Sequence, residues 1–194
     1  MYDLSFLIIT LPIILVTITI HEFSHAKVAD VLGDPTPRLA GRLTLNPIAH
    51  IDPIGFLMLI LVRFGWAKPV PINPYNFKDP RSGSLFVSLA GPVSNFLFAW
   101  VIAILYRTMP LAYGDLLSQI LSYTIWINLA LGVFNLIPIP PLDGSHILEF
   151  FLPASQLENW YRLQQYSLMI LLFIIVFGSP ILMAVIDFFY RLLV

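Results

Sequence analysis

Residues 4–32 read LSFLIITLPIILVTITIHEFSHAKVADVL, and their reading decides the fold. No charge interrupts the run from Leu4 to Ile20, and the apolar stretch is long enough for a helix to cross a bilayer. Inside it lies His21-Glu22-Phe23-Ser24-His25. Residues four apart share a helix face, so His21 and His25 can both reach one zinc ion. Glu22 stands one step around the helix, where it can take a proton from a water at the metal. An acid flanked by two histidines in a membrane helix is expensive and marks a functional site. Counting ~1.5 Å per residue from Leu4, His21 is about 25 Å along, past the midplane.

Composition supports a membrane protein. Hydrophobic residues make up 58% of the 194, charged residues 11%, and mean hydropathy is +0.85. Soluble domains carry about a quarter charged residues. A net charge of −1 gives no basic surface for nucleic acid. There is no cysteine, which excludes disulfides, thiolate metal sites and thiol nucleophiles. The first residues lack a basic start and a small-residue cleavage site, so the first apolar run is expected to be retained.

Gly33-Asp34-Pro35-Thr36-Pro37 should end the first helix. Arg38 to Asn46 reads as a short strand by its alternation, and Trp66 to Pro74 as a proline-limited edge strand. Between them, Ile54 to Val62 is about half the length of a span, either re-entrant, interfacial, or a short crossing helped by Arg63. Leu85 to Tyr106 reads as the second full span, carrying Gly91-Pro92-Val93-Ser94-Asn95. Leu116 to Ile137 reads as the third, ending in Asn135-Leu136-Ile137-Pro138-Ile139-Pro140-Pro141-Leu142-Asp143-Gly144. Beyond it, Ser145 to Leu152 suggests a short helix. Leu163 to Phe177 and Ile181 to Leu193 suggest one kinked helix or two pieces. The expected fold is an all-α polytopic membrane protein. It has a three-helix catalytic core (about 4–152), a C-terminal helical segment (163–194), and a small re-entrant β element between the first two full spans. Residues 1–194 then form one membrane-embedded domain.

Basic residues set the expected orientation. Lys27, Arg38, Arg42, Arg63, Lys68, Lys78 and Arg81 lie between the first two full spans, whereas the N-terminus has none. The N-terminus is therefore expected outside the cell membrane, and the active site toward the cytoplasm. Helix counting returns Asp143 to the same face as His21 and His25. A catalytic zinc takes three protein ligands and keeps one open position. Asp143 is the expected third ligand, with His146 and His50 as alternatives and helix capping as the other use of Asp143.

The combination H-E-F-S-H, G-P-V-S-N and N-L-I-P-I-P-P-L-D-G, in that order, resembles the site-2 protease family of intramembrane zinc metalloproteases. L-N-P-I-A-H-I-D-P-I-G and W-A-K-P-V-P-I-N-P-Y-N-F look like its small bacterial and archaeal branch, without a PDZ or regulatory nucleotide-binding domain. The resemblance runs from about His21 to Gly144. It implies one zinc per chain held by His21, His25 and Asp143, with Glu22 as catalytic base. Asn135 and Asn95 match asparagines beside the metal. Asn135 is the candidate second donor to the oxyanion, while Asn95, Gly91 and Val70 would line the site. The implied substrates are transmembrane proteins or peptides in the lipid bilayer, cut within or near their spans. A transmembrane helix must unwind to expose a peptide bond. The segments near Val70 and Leu43 would bind the unwound stretch by strand addition or simply wall the cavity. A membrane metal-ion transporter and an inactive scaffold that binds membrane segments are the other readings. Against transport, the polar residues cluster at one depth and no repeat is found.

Overall fold

The computed structural model describes residues 4–62, 65–110 and 115–194. The chain divides into two compact units, Met1–Gly91 and Pro92–Val194. The division falls inside a single long helix.

The first unit opens with α1 (Leu4–Val31), which continues through Pro12. Gly33-Asp34-Pro35 stops it, with Asp34 N–H closing on the Ala29 carbonyl at 2.9 Å. A single helical turn, α2 (Thr36–Leu39), follows directly, with a proline in its first turn. A 3-10 turn at Pro47–His50 comes next, and both it and α2 pack against α1. Helix α3 (Pro53–Val62) is ten residues long. Asp52 Oδ1 starts it by accepting from Ile54 N and Gly55 N at 3.0 and 2.8 Å. At ~1.5 Å per residue, α3 covers about half the hydrocarbon thickness. Arg63, expected to help it cross, lies outside the described residues. The unit closes with a 3-10 turn at Pro74–Asn76 and the beginning of α4 (Pro80–Thr108). Its apolar core is small: Ala29, Phe77 and Val87, with Val28, Leu32 and Ile72 packed around them.

The expected β element is not there. Among the described residues no strand forms, and the two segments that suggested one are joined by a side chain, Arg42 to the Lys68 carbonyl, rather than by a backbone ladder. The first expected strand, Arg38 to Asn46, begins inside the turn of α2 and continues as irregular chain. In the second, an isolated bridge joins Ala67 to Ile51 in the antiparallel sense. The cause is donor supply. Pro69, Pro71 and Pro74 remove three of the N–H groups that a ladder needs. Side chains meet part of the remaining polar backbone: the Lys68 carbonyl accepts from Arg42 and Asn73 N donates to Asp34, while Lys68 N donates to the His50 carbonyl.

The second unit holds the rest of α4, then α5 (Leu116–Asn135), α6 (Asp143–Phe151), α7 (Ala154–Gln164), α8 (Ser167–Phe177) and α9 (Ser179–Leu193). Its core joins Ala99 and Ala103 of α4 to Ile125 and Leu129 of α5 and Ile186 of α9. The two alanines, four apart, let helix backbones approach closely. Ser122 and Tyr190 hydroxyls bond at 2.7 Å, pinning α5 to α9. The C-terminal apolar stretch is thus two helices broken at Gly178. Among the described residues, Leu7–Val31, Pro80–Thr108 and Leu116–Asn135 are long and apolar enough to cross a membrane. A fourth crossing arises if α7 and α8, bent by 75°, form one broken span.

Candidate metal centre

The first unit gathers its candidate ligand atoms on one face of α1. His21 and His25 are both buried. Their rings meet edge to face, with centroids 4.6 Å apart, and their Nε2 atoms are 3.0 Å apart. Two imidazole nitrogens on a tetrahedral zinc would stand about 3.3 Å apart, given ~2.05 Å bonds. The pair therefore fits a shared ion with little movement. His25 Nδ1 lies 2.7 Å from the Val87 carbonyl of α4. A carbonyl only accepts, so the proton sits on Nδ1 and, in the neutral ring, the Nε2 lone pair faces His21. An outer hydrogen bond of this kind fixes the ligand's orientation and tautomer.

Gly91 completes the cradle. A Cβ at this position would lie 2.4 Å from His25 Nε2, 2.5 Å from His21 Cε1 and 2.6 Å from His21 Nε2. Only glycine lets α4 pass this close to both rings. Glu22, one residue along, is half-buried.

The two histidine rivals for the third ligand have different surroundings. His50 is 1% exposed, and its Nε2 lies 2.9 Å from the Thr44 carbonyl, which makes Nε2 the donor. Its other nitrogen lies 3.4 Å from a guanidinium nitrogen of Arg42, so Nδ1 is the acceptor. Both ring nitrogens of His50 are thus committed. His146, on α6, is exposed and faces Glu149 at 3.6 Å.

Asp143 opens α6 in the second unit. It is not a cap, because Leu142 takes the capping position and no side chain bonds there. Gly144 allows the turn beside it. A Cβ there would sit 2.3 Å from the Leu136 carbonyl and 2.5 Å from that of Ile137. The proline-rich link therefore folds Asp143 back against the end of α5, where Asn135 lies. Asn135 donates one amide hydrogen to the Leu131 carbonyl at 3.0 Å, and its amide carries a second hydrogen. Asn95 is fully buried and donates to Asn128 Oδ1 at 3.2 Å. Val70 is half-buried on the irregular segment of the first unit.

Two buried charges of the first unit were not anticipated by the motif reading. Asp34, fully buried, accepts from Thr36 N and Oγ1 at 3.1 and 2.5 Å, from Asn73 N at 2.7 Å and from Asn76 Nδ2 at 2.7 Å. Burial pushes its pKa up, but the bonds from Thr36, Asn73 and Asn76 outweigh that and hold it below the usual carboxylate value. Arg42 is 4% exposed; burial lowers its pKa, and the nearby Glu22 carboxylate partly restores it. The Asp-Pro-Thr-Pro stretch was a local signal for Asp34, since an Asp before such a turn bonds the backbone two residues on. Nothing local marked Arg42.

A family model described as peptidase family M50 matches residues 111–178. Over 190 residues the chain is 40% identical to "Putative zinc metalloprotease YwhC" of Bacillus subtilis (strain 168), covering 93% of this chain and 84% of that protein. The chain belongs to peptidase family M50. This is the site-2 protease family that its motifs resemble. Two longer relatives match over part of their length. "Putative zinc metalloprotease Rip2" of Mycobacterium tuberculosis (strain ATCC 25618 / H37Rv) is 30% identical over 87% of this chain and 66% of its own. "Zinc metalloprotease MJ0392" of Methanocaldococcus jannaschii is 27% identical over 72% of this chain and 33% of its own. No solved structure matches the chain. Family membership makes this M50 chain a multi-pass membrane metallopeptidase, and separates the enzyme reading from the ion-transport and scaffold alternatives.

Proposed function

We propose that this M50 peptidase cuts transmembrane segments of membrane proteins, with one zinc held by His21, His25 and Asp143. The observation that carries the reading is the His21–His25 pair, with Nε2 atoms 3.0 Å apart, His25 oriented by the Val87 carbonyl, and Gly91 leaving room above both rings. Asp143 is assigned as third ligand because His50 is committed elsewhere and His146 is exposed and turned to Glu149. The three ligands belong to one membrane-embedded domain, residues 1–194.

Zinc, when bound, supplies a Lewis acid that polarises the scissile carbonyl and makes water acidic near neutral pH. Glu22 accepts a proton from the attacking water and returns it to the departing amide nitrogen. Asn135, through its second amide hydrogen, donates to the oxygen on which charge develops. Val87 keeps His25 in the ligating tautomer throughout. Asn95 holds its place through Asn128, and Gly91 and Val70 line the site. The substrate is a membrane segment unwound locally, since an intact helix keeps its peptide bonds in internal hydrogen bonds. The bias of basic residues toward the stretch between the first and second spans supports an extracytoplasmic N-terminus and an active site toward the cytoplasm.

The test is Glu22→Gln. Glutamine matches the size but accepts no proton, so cleavage of a reconstituted single-span substrate should fall by ~10²-fold or more. Bound zinc, measured in the same preparation, should stay at the wild-type level. Full activity in this variant would remove Glu22 from the chemistry, and loss of zinc would make Glu22 structural.

A further inference from the structure

The irregular segment Lys68–Asn73 of the first unit is held at each end by a buried charge. Arg42 donates to the Lys68 carbonyl from the guanidinium nitrogen that also faces His50. Asp34 accepts from Asn73 N at 2.7 Å, and from Asn76 Nδ2 three residues on. Among the described residues neither charge has an oppositely charged partner within salt-bridge distance; each bonds the backbone of the segment. A buried charge is costly unless fully hydrogen-bonded, so placing two of them on one short segment is a strong restraint.

The segment between these anchors is stiff by sequence. Pro69, Pro71 and Pro74 have fixed φ, and each pushes the residue before it toward extended backbone. Burial alternates accordingly: Pro69 and Pro71 are exposed, and Val70 and Ile72 are half-buried. Ile72 packs on the Ala29, Phe77 and Val87 cluster. Val87 is the residue whose carbonyl orients His25, and Ala29 lies one helical turn beyond His25. The inner edge of the segment therefore abuts the shell of a metal ligand. Arg42 also keeps a buried Nε–H with no acceptor and lies within electrostatic reach of Glu22.

We propose that Asp34 and Arg42 are positioning residues for proteolysis, holding Lys68–Asn73 as a fixed wall against which the unwound backbone of a transmembrane substrate is aligned. This rests on the proteolytic reading above. The wall does no chemistry; loosening either anchor misplaces the substrate while leaving zinc and Glu22 in position.

The experiment compares two probes in proteoliposomes: a labelled single-span peptide with a Gly-Pro break at mid-span, and a short water-soluble quenched peptide. Asp34→Asn and Arg42→Gln should raise KM for the single-span peptide about tenfold, the scale of one hydrogen bond to a charged group. For Asp34→Asn, kcat, bound zinc and turnover of the short peptide should hold; Arg42→Gln, which also removes a charge near Glu22, is read on KM and bound zinc alone. Asn76→Ala, at an exposed position, removes one donor to Asp34 without altering a buried charge, and should give a smaller shift of the same kind should the other variants not fold. Loss of zinc, an equal loss on both peptides, or no change in KM would overturn the proposal. A benzophenone amino acid at position 70, in a Glu22→Gln background, supplies a readout independent of cleavage. It should crosslink the single-span peptide, and Asp34→Asn should reduce the yield. Crosslinking that is absent, or insensitive to Asp34→Asn, would overturn the anchors. Anchor-dependent crosslinking in a chain whose wild type cuts neither peptide would uphold them as substrate-positioning residues and sink the proteolytic reading instead.

Discussion

The two units satisfy their polar groups in opposite ways. In the second, bonds are local or link neighbouring helices: Asn135 to Leu131, Thr124 to Ile120, Asn128 to Thr124, Asn95 to Asn128. In the first, buried side chains also bond the backbone of an irregular segment. Arg42 bonds the carbonyl 26 residues on, and Asp34 bonds groups 39 and 42 residues on. A helix closes its own backbone bonds, and so it can be built anywhere in a bilayer. An irregular segment must borrow partners, and here it borrows two buried charges. The helix that carries His21 and His25 sits in the unit that borrows.

The sharpest way to break this contrast is at Gly91, where neither local nor distant polar bonding matters, only volume. Gly91→Ala places a methyl group 2.4–2.6 Å from ring atoms of both histidines. Zinc affinity should fall by about 10–100-fold, as when a ligand's supporting shell is disturbed. Titration with a competing chelator measures it, and wild-type affinity would show that α4 yields without cost.

Smaller, and specific to the first unit, is an acid sensitivity. The folded-state pKa of Asp34 lies below its ordinary 3.8. Its contribution to stability is therefore present above pH 3.8 and is lost as pH falls through the lowered value. Asp34→Asn should destabilise the chain by about 1–3 kcal/mol near neutral pH, because buried donors lose their acceptor. It should also flatten the dependence of the unfolding midpoint below pH 3.8. A variant with the wild-type acid profile would shift the stabilising role from Asp34 to the loop itself.

The smallest effect belongs to the second unit. Asn128→Ala removes the partner of Asn95, and interhelical bonds in membranes average only ~0.6 kcal/mol. A thermal shift of a few degrees or less is expected. A loss comparable to that of Asp34→Asn would erase the distinction between the units.

The second unit was readable because its polar groups are met within helices or between them. Hydropathy located α4 and α5, the Asn-to-Asp motif gave the return at Asp143, and Gly178 marked the break between α8 and α9. His21 and His25 were legible because four-residue spacing is a local property of a helix. The segments Arg38 to Asn46 and Trp66 to Pro74 were misread as β structure because alternation of residue type was visible while the satisfaction of backbone groups was not. Arg42 looked like one of several basic residues setting orientation; its burial depends on Lys68 and His50, which no window of neighbouring residues contains. Gly91 was singled out by motif, but its purpose became physical only once a missing methyl could be measured against two imidazoles.

The bond from His25 to Val87 has a consequence for how the protein can vary. The acceptor is a main-chain oxygen, present whatever side chain occupies position 87. No substitution of that residue deletes the bond by chemistry; only a shift of α4 can. Position 87 is thus free to drift among residues that fill the space beside Ala29 and Phe77 while the histidine it orients stays fixed. A mutational scan would score Val87 as a tolerant packing site, although its backbone stands directly behind His25.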